Sequence, residues 1–305
     1  MKHGKTVYIL FIVVQCLIYG VGNPLSKYAY DAGLSTLWCL AVRFAIAAVI
    51  FFLISGRRAL AELRRSPVKS WLLPSLFLGA GYIFCNLSLK LTAATMAGFL
   101  MGLPVLFVPI LAVPILHRRY RPAFLPVHIA AVIGLYLLCC GGAGGGFSFG
   151  WGEATGLLGA MLVAASLLWS ERGLKELSPV TISMTQCAAA AVLSLAAALC
   201  VSPGIVWREV TPVGWITILY LALLCSCLAY WLQNTALRRI TAGLVSLTQC
   251  AEPVFTAVFS FWFLHERLNV FGWLGAVLLL LCIVYGNRIG LRSPGGGSQK
   301  GLLPK

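Results

Sequence analysis

The stretch "SLTQCAEPVF" (Ser246–Phe255) holds the costliest pair of neighbours in this sequence: Glu252 followed directly by Pro253, inside an otherwise apolar run. A charge at the middle of a bilayer costs about 2.5–3.5 kcal/mol on insertion scales. Proline costs a helix interior roughly 3 kcal/mol more. It also removes one backbone donor and frees a carbonyl near Gln249. Such kinks survive in membranes where they face protein or water rather than lipid. Gln249 and Glu252 then offer polar groups on an inward face. Two readings of Glu252 are open: a structural bond to a nearby backbone group or Asn, and the handling of substrate or protons.

Four other places could carry chemistry. Arg43 lies too deep in the second apolar run for easy snorkelling, so it calls for a wet cavity or a buried partner, the candidates being Glu252 and a carboxylate on a substrate. "GNPLSKY" sets Asn23–Pro24 at the end of the first run with Lys27 one turn later. An interrupted helix end exposes carbonyls and donors to ligands, while Lys27 also reads as a solvated rim cation. Tyr82 and Asn86 lie one helical turn apart on one face, as do Tyr230 and Asn234. They are expected to line a cavity or to bond helix to helix. Trp169 and Phe99 read as core aromatics or as stacking surfaces. The expected binding set is therefore Asn23, Arg43, Asn86, Tyr230, Asn234, Gln249 and Glu252, with Glu252 the candidate for proton coupling. Arg43 and Lys27 favour a substrate bearing a carboxylate or another anionic group. No catalytic residue, metal ligand or cofactor motif is expected.

These residues must be positioned by helices in lipid. The chain has 305 residues, 60% hydrophobic and 10% charged, against ~25% charged in soluble domains. Apolar runs of about 20 residues, enough to cross a bilayer, recur from end to end. Ten spans are expected: Val7–Gly22, Leu34–Ile54, Trp71–Leu89, Ala94–Leu116, Phe124–Cys140, Thr155–Ser170, Pro179–Val201, Val213–Leu232, Ala242–Leu264 and Val270–Tyr285. The opening "MKHGKTVYILFIVVQCLIYG" has the basic head of a signal peptide without its small-residue cleavage site, so a retained first span is expected. With the N-terminus inside, 18 of the 23 Lys and Arg residues fall on the inner side and four on the outer, with Arg43 within a span. That asymmetry places both termini in the cytoplasm. The net charge of +15 is thus a topology signal; the basic residues form no continuous face for nucleic acid. All 11 cysteines lie within or at the ends of apolar runs, as small buried hydrophobes rather than disulfides.

The second half repeats the first. Tyr82 pairs with Tyr230 and Asn86 with Asn234. Pro104–Val105 pairs with Pro253–Val254, and Arg43 with Gln186. Five spans per half is an odd number, so the halves insert upside down relative to each other, a transporter arrangement with the site near the midplane between them. The fold expected is all-α: ten transmembrane helices as two inverted five-helix repeats, residues 1–140 and 153–287. The Gly-rich 141–152 serves as an outer linker, and 288–305 as a disordered cytoplasmic tail. The linker lacks a P-loop ending. Ladders of small residues (Ala94, Gly98, Gly102; Ala242, Ser246, Cys250) read as close-packing surfaces.

"YGVGNPLSKYA", "LAVRF", "AEPVFTAVFSFWFLHERL" and "GWLGAVLLLLCIVYG" together resemble the EamA-type transporters of the drug/metabolite transporter superfamily, over nearly the whole chain. The resemblance implies ten helices and export of small metabolites such as amino acids across the cytoplasmic membrane, here by alternating access, from a monomer or homodimer in contact with lipid. One departure is visible: His117 stands where the family has the acid that Glu266 supplies in the second half, and Leu103 stands opposite Glu252. A lipid-modifying enzyme is the alternative class, but His3, His117, His128 and His265 form no motif with Asp or Glu. A scaffold or receptor would explain the spans and not the broken helices.

Overall fold

The computed structural model describes residues 2–31, 35–92, 94–118, 122–141, 149–201, 210–265 and 268–292. The Gly-rich linker, apart from its two ends, and the tail beyond 292 lie outside the described residues. Ten helical spans long and apolar enough to cross a membrane are present: Gly4–Ser26, Thr36–Arg65, Val68–Leu91, Met96–Leu116, Pro122–Cys140, Trp151–Gly173, Pro179–Val201, Pro212–Leu237, Ala242–Phe263 and Val270–Gly290. They are numbered 1 to 10 below. Among the described residues there is no strand.

The apolar side chains face outward as well as inward. Leu53, Leu199 and Leu281 are all more than 60% exposed, as lipid-facing positions must be in a helix that is hydrophobic all round. The buried positions include polar ones instead: Gln15, Gln186 and Asn234 are fully buried. Hydrophobicity therefore sets the spans, and polar pairing between helices adds specificity inside.

Span 2 runs eleven residues past its expected end, to Arg65. The extension "SGRRALAELRR" is basic and amphipathic, so it continues as helix beyond the apolar zone. Spans 4 and 9 are each broken in two. The first halves end at Gly102 and Gln249, and the second halves run Pro104–Leu116 and Ala251–Leu264. Leu103 and Cys250 each form a tight turn, with N–H groups bonded to Leu100 and Leu247. Span 8 carries a π-helical stretch, Leu221–Leu228, for which the sequence offers no proline or glycine cause.

The second half-helices of spans 4 and 9 both stop at a histidine in the left-handed region, His117 (φ 51°) and His265 (φ 55°), whose N–H groups bond Ala112 and Ser260. These are equivalent caps. His117 therefore corresponds to His265 and not to Glu266; the sequence register, set by the two prolines, is off by one residue here because the second helix has one residue fewer between its proline and its cap.

The helix contacts come in matched pairs: 1 with 9 and 6 with 4, 1 with 8 and 6 with 3, 2 with 8 and 7 with 3. Spans 2 and 7 pack together, as do 5 and 10. This is the pattern of a twofold relation between repeats. The halves are not two separate bundles placed side by side, as the sequence suggests. Span 1 seats mainly among spans 8 and 9, and span 6 mainly among spans 3 and 4. Gly20 permits the first of these contacts: a Cβ there would stand 2.5 Å from the Phe255 Cβ. Gly275 on span 10 meets span 5 in the same way, 2.6 Å from the Gly134 carbonyl oxygen.

Candidate functional site

The break in span 9 leaves Glu252 about halfway along it, half-buried, at the start of the second half-helix. Its carboxylate meets span 1. The Asn23 amide donates to Glu252 Oε1 at 3.2 Å and to Thr256 Oγ1 at 3.0 Å. Glu252 and Thr256 lie one helical turn apart on a common face, and both hydrogens of one Asn23 amide are used. Asn23 itself remains exposed. Both readings of Glu252 are compatible with this geometry: it has the Asn partner a structural role needs, and it keeps accessible surface.

Across from it, Arg43 on span 2 lies within electrostatic reach of Glu252, Tyr19 and Tyr82. Its guanidinium carbon sits 4.8 Å from the Phe44 ring centre and 5.6 Å from that of Tyr82. Cation–π contact of this kind holds a guanidinium in place at about 0.5–2 kcal/mol. The Tyr230 hydroxyl donates to the Tyr82 hydroxyl at 2.7 Å, and Phe44 stands edge-on to both rings. The repeat-matched tyrosines thus meet directly.

On the side of Glu252 nearer the N-terminus of span 1 lies a cluster of three glutamines. Gln15 and Gln249 both donate to Gln233 Oε1, at 2.7 and 3.0 Å. Glu252, Arg43, two tyrosines and a glutamine cluster therefore line the contacts among spans 1, 2, 3, 8 and 9. The position in the first repeat that matches Gln233 is apolar, the buried Cys85, and Leu103, also buried, forms the turn that Cys250 forms in span 9.

The structure brings Asn23, Glu252, Arg43 and Tyr230 to this region, and Gln249 beside it. It does not bring the two asparagines together. Asn86 donates to the Tyr82 carbonyl on its own helix at 2.8 Å. Asn234 is fully buried and turns to span 7, donating to Ser183 Oγ at 2.8 Å and Gln186 Oε1 at 2.9 Å. Gln186 in turn bonds Ser170 on span 6 at 2.9 Å. Asn234 presents no surface to a ligand in this state. The Lys27 side chain lies outside the described residues. Phe99 packs edge-on against Tyr136, and Trp169 lies under Arg172. Sequence reasoning passed over Gln15, Tyr19, Gln233 and Thr256. Gln15 and Gln233 could have been found as the remaining amides inside apolar runs; Tyr19 and Thr256 carry no such signal. Among the described residues no group of His, Cys, Asp or Glu could hold a metal ion.

Ten spans in inverted repeats, two of them broken, around a sparse polar centre define a membrane transporter. The chain belongs to the EamA-like transporter family, whose pattern matches it twice, over residues 6–140 and 150–286. It is 26% identical over 293 residues to the uncharacterized transporter YwfM of Bacillus subtilis (strain 168), spanning 90% of this chain and 92% of that one. An uncharacterized transporter of Archaeoglobus fulgidus is 25% identical over 277 residues, 90% of this chain and 84% of its own. A solved crystal structure superposes with a TM-score of 0.79 over 94% of this chain and 99% of the other, at 18% identity, a likeness of fold alone. The protein is accordingly a multi-pass membrane transporter working on a small-molecule substrate among lipids.

Proposed function

We propose that this transporter exports small carboxylate-bearing metabolites such as amino acids across the cytoplasmic membrane, by alternating access, with both termini in the cytoplasm. The observation that carries the reading is one cation and one acid within electrostatic reach of each other at the centre. Arg43 packs against two rings, and Glu252 accepts from Asn23. A carboxylate on the substrate would meet the guanidinium, which binds carboxylates in a fixed fork. An amine would meet Glu252. Tyr82 and Tyr230 supply apolar walls with hydroxyl edges between them. Asn23, Gln249, Asn86 and Asn234 complete the proposed set, the last two by orienting their neighbours. Among the described residues Glu252 is the one carboxylate at this centre, and it is the proposed proton carrier. The charge asymmetry along the chain supports the orientation.

Purified protein in liposomes loaded with mixed amino acids should release carboxylate-bearing species down their gradient. The Glu252→Gln variant should lose the response of that flux to a pH gradient. Absence of flux for every metabolite offered, together with a Glu252→Gln variant that matches the parent, would overturn the reading.

A further inference from the structure

The ends of the spans that carry the Lys and Arg excess form one basic face, and among the described residues three acidic side chains are tied into it. Glu171, at the end of span 6, is buried. Its Oε2 accepts the Ala242 N–H at the start of span 9 at 2.8 Å, and its Oε1 pairs with Arg118, which follows span 4. Glu62, near the end of span 2, reaches the start of span 7. There it accepts from the Ser178 N–H at 2.9 Å and from the Thr181 hydroxyl at 2.7 Å. Glu176, in the loop between spans 6 and 7, accepts from Ser70 at the start of span 3, at 2.8 Å. Carboxylates at helix N-termini are favoured by the unpaired N–H groups and the dipole.

Each of these contacts ties elements that the contact pattern assigns to different groups or different repeats. Span 6 packs with spans 3 and 4, whereas span 9 packs with span 1, so the Glu171–Ala242 bond bridges the two groups. Glu62 joins the repeats through spans 2 and 7, whereas Glu176 bonds span 3 within the group of spans 3, 4 and 6. Three acids gathered where the sequence places its basic excess are not required for topology, since the positive-inside rule counts Lys and Arg.

We propose that Glu171 and Glu62 form a latch that closes the basic face, and that it must release for the centre at Glu252 to open toward that side. Glu171 is the main element, because its bond spans the two groups directly and Arg118 holds it there. The glutamine cluster and the break at Cys250 lie just inside. Opening would expose Cys16 and Cys250, which are buried at 0% and 3% exposure beside the break. The proposal rests on the alternating-access reading, but its test does not need a substrate.

Full-length protein in membrane vesicles is treated with a membrane-impermeant maleimide at the basic face, and the modification rate of each cysteine is read by peptide mass spectrometry. Glu171→Ala and the pair Glu62→Gln with Glu171→Ala should raise labelling of Cys16 and Cys250 by roughly tenfold, the scale set by loss of one charge-assisted bond. Arg118→Ala should do so less, because the Ala242 bond survives. Cys140 and Cys282, buried near the contact between spans 5 and 10, are the control. Labelling of Cys16 and Cys250 that does not change overturns the latch. A rise shared equally by Cys140 and Cys282 also overturns it, showing general loosening. Selective labelling with no flux of any metabolite would keep the latch and sink the transport reading instead.

Discussion

Replacing Gly20 by alanine should separate span 1 from span 9 and undo the Asn23–Glu252 contact. The added Cβ would lie 2.5 Å from the Phe255 Cβ, with the Phe255 carbonyl carbon at 3.0 Å and the Thr256 nitrogen at 3.1 Å. Ordinary contact begins at 3.4 Å, so the closest approach is short by about 0.9 Å. Two of the three obstructing atoms are backbone and cannot swing aside, so the helices themselves must part. Asn23 lies one turn further along span 1, and its bond to Glu252 is already 3.2 Å. A displacement of most of an ångström there carries it past hydrogen-bond range. Overpacking of this kind costs about 1–3 kcal/mol. The expected result is a lower melting temperature in detergent together with a loss of flux resembling that of Asn23→Ala. Gly243→Ala is the control: nothing lies within 4 Å of a Cβ at that helical position, so it should leave stability unchanged or raise it by up to about 1 kcal/mol. A Gly20→Ala protein as stable and as active as the parent would refute the reasoning, since the close approach would then not be what sets the Asn23–Glu252 geometry.

The Tyr82–Tyr230 hydroxyl bond is checked by a double-mutant cycle. Tyr82→Phe and Tyr230→Phe should each cost about 0.5–1.5 kcal/mol, and the double variant should cost less than the sum, because either change alone removes the same bond. Asn234→Leu should destabilise by about 1–3 kcal/mol by leaving Gln186 Oε1 without its buried donor. Its KM for any transported metabolite should stay at the parent value if the residue only orients its neighbours, whereas Arg43→Gln should raise KM.

Much of the fold could be read from the chain because lipid imposes a simple rule. Only closed hydrogen-bonding elements survive in hydrocarbon, so run length determines the number of the spans. The break shortly before Pro253 and the pairing of Tyr82 with Tyr230 were likewise visible, since proline and matched polar residues are rare in apolar sequence. What stayed hidden depends on interhelical packing. Nothing in "NTAL" tells that Asn234 turns to Ser183 and Gln186 on span 7 while Tyr230, one turn earlier, meets Tyr82. A modest rotation of the helix about its axis decides that, and a helix that is apolar on every side has no wet face to fix the angle. Thr256 became a partner of Asn23 only because Gly20 lets the helices close. The one-residue slip between His117 and Glu266 arose because a register anchored on proline does not survive the loss of one residue between proline and cap.

The exchange of spans 1 and 6 between the repeats bears on how such a chain can be made. Span 1 leaves the ribosome well before its neighbours, spans 8 and 9, so it must wait in lipid with its amides, Gln15 and Asn23, unmatched until Gln233 and Glu252 arrive. Neither repeat cut from the gene would own a complete set of walls. Co-expressed as separate polypeptides, they would have to trade helices to assemble, as two copies of a half-length ancestor would have done before fusion made the swap permanent.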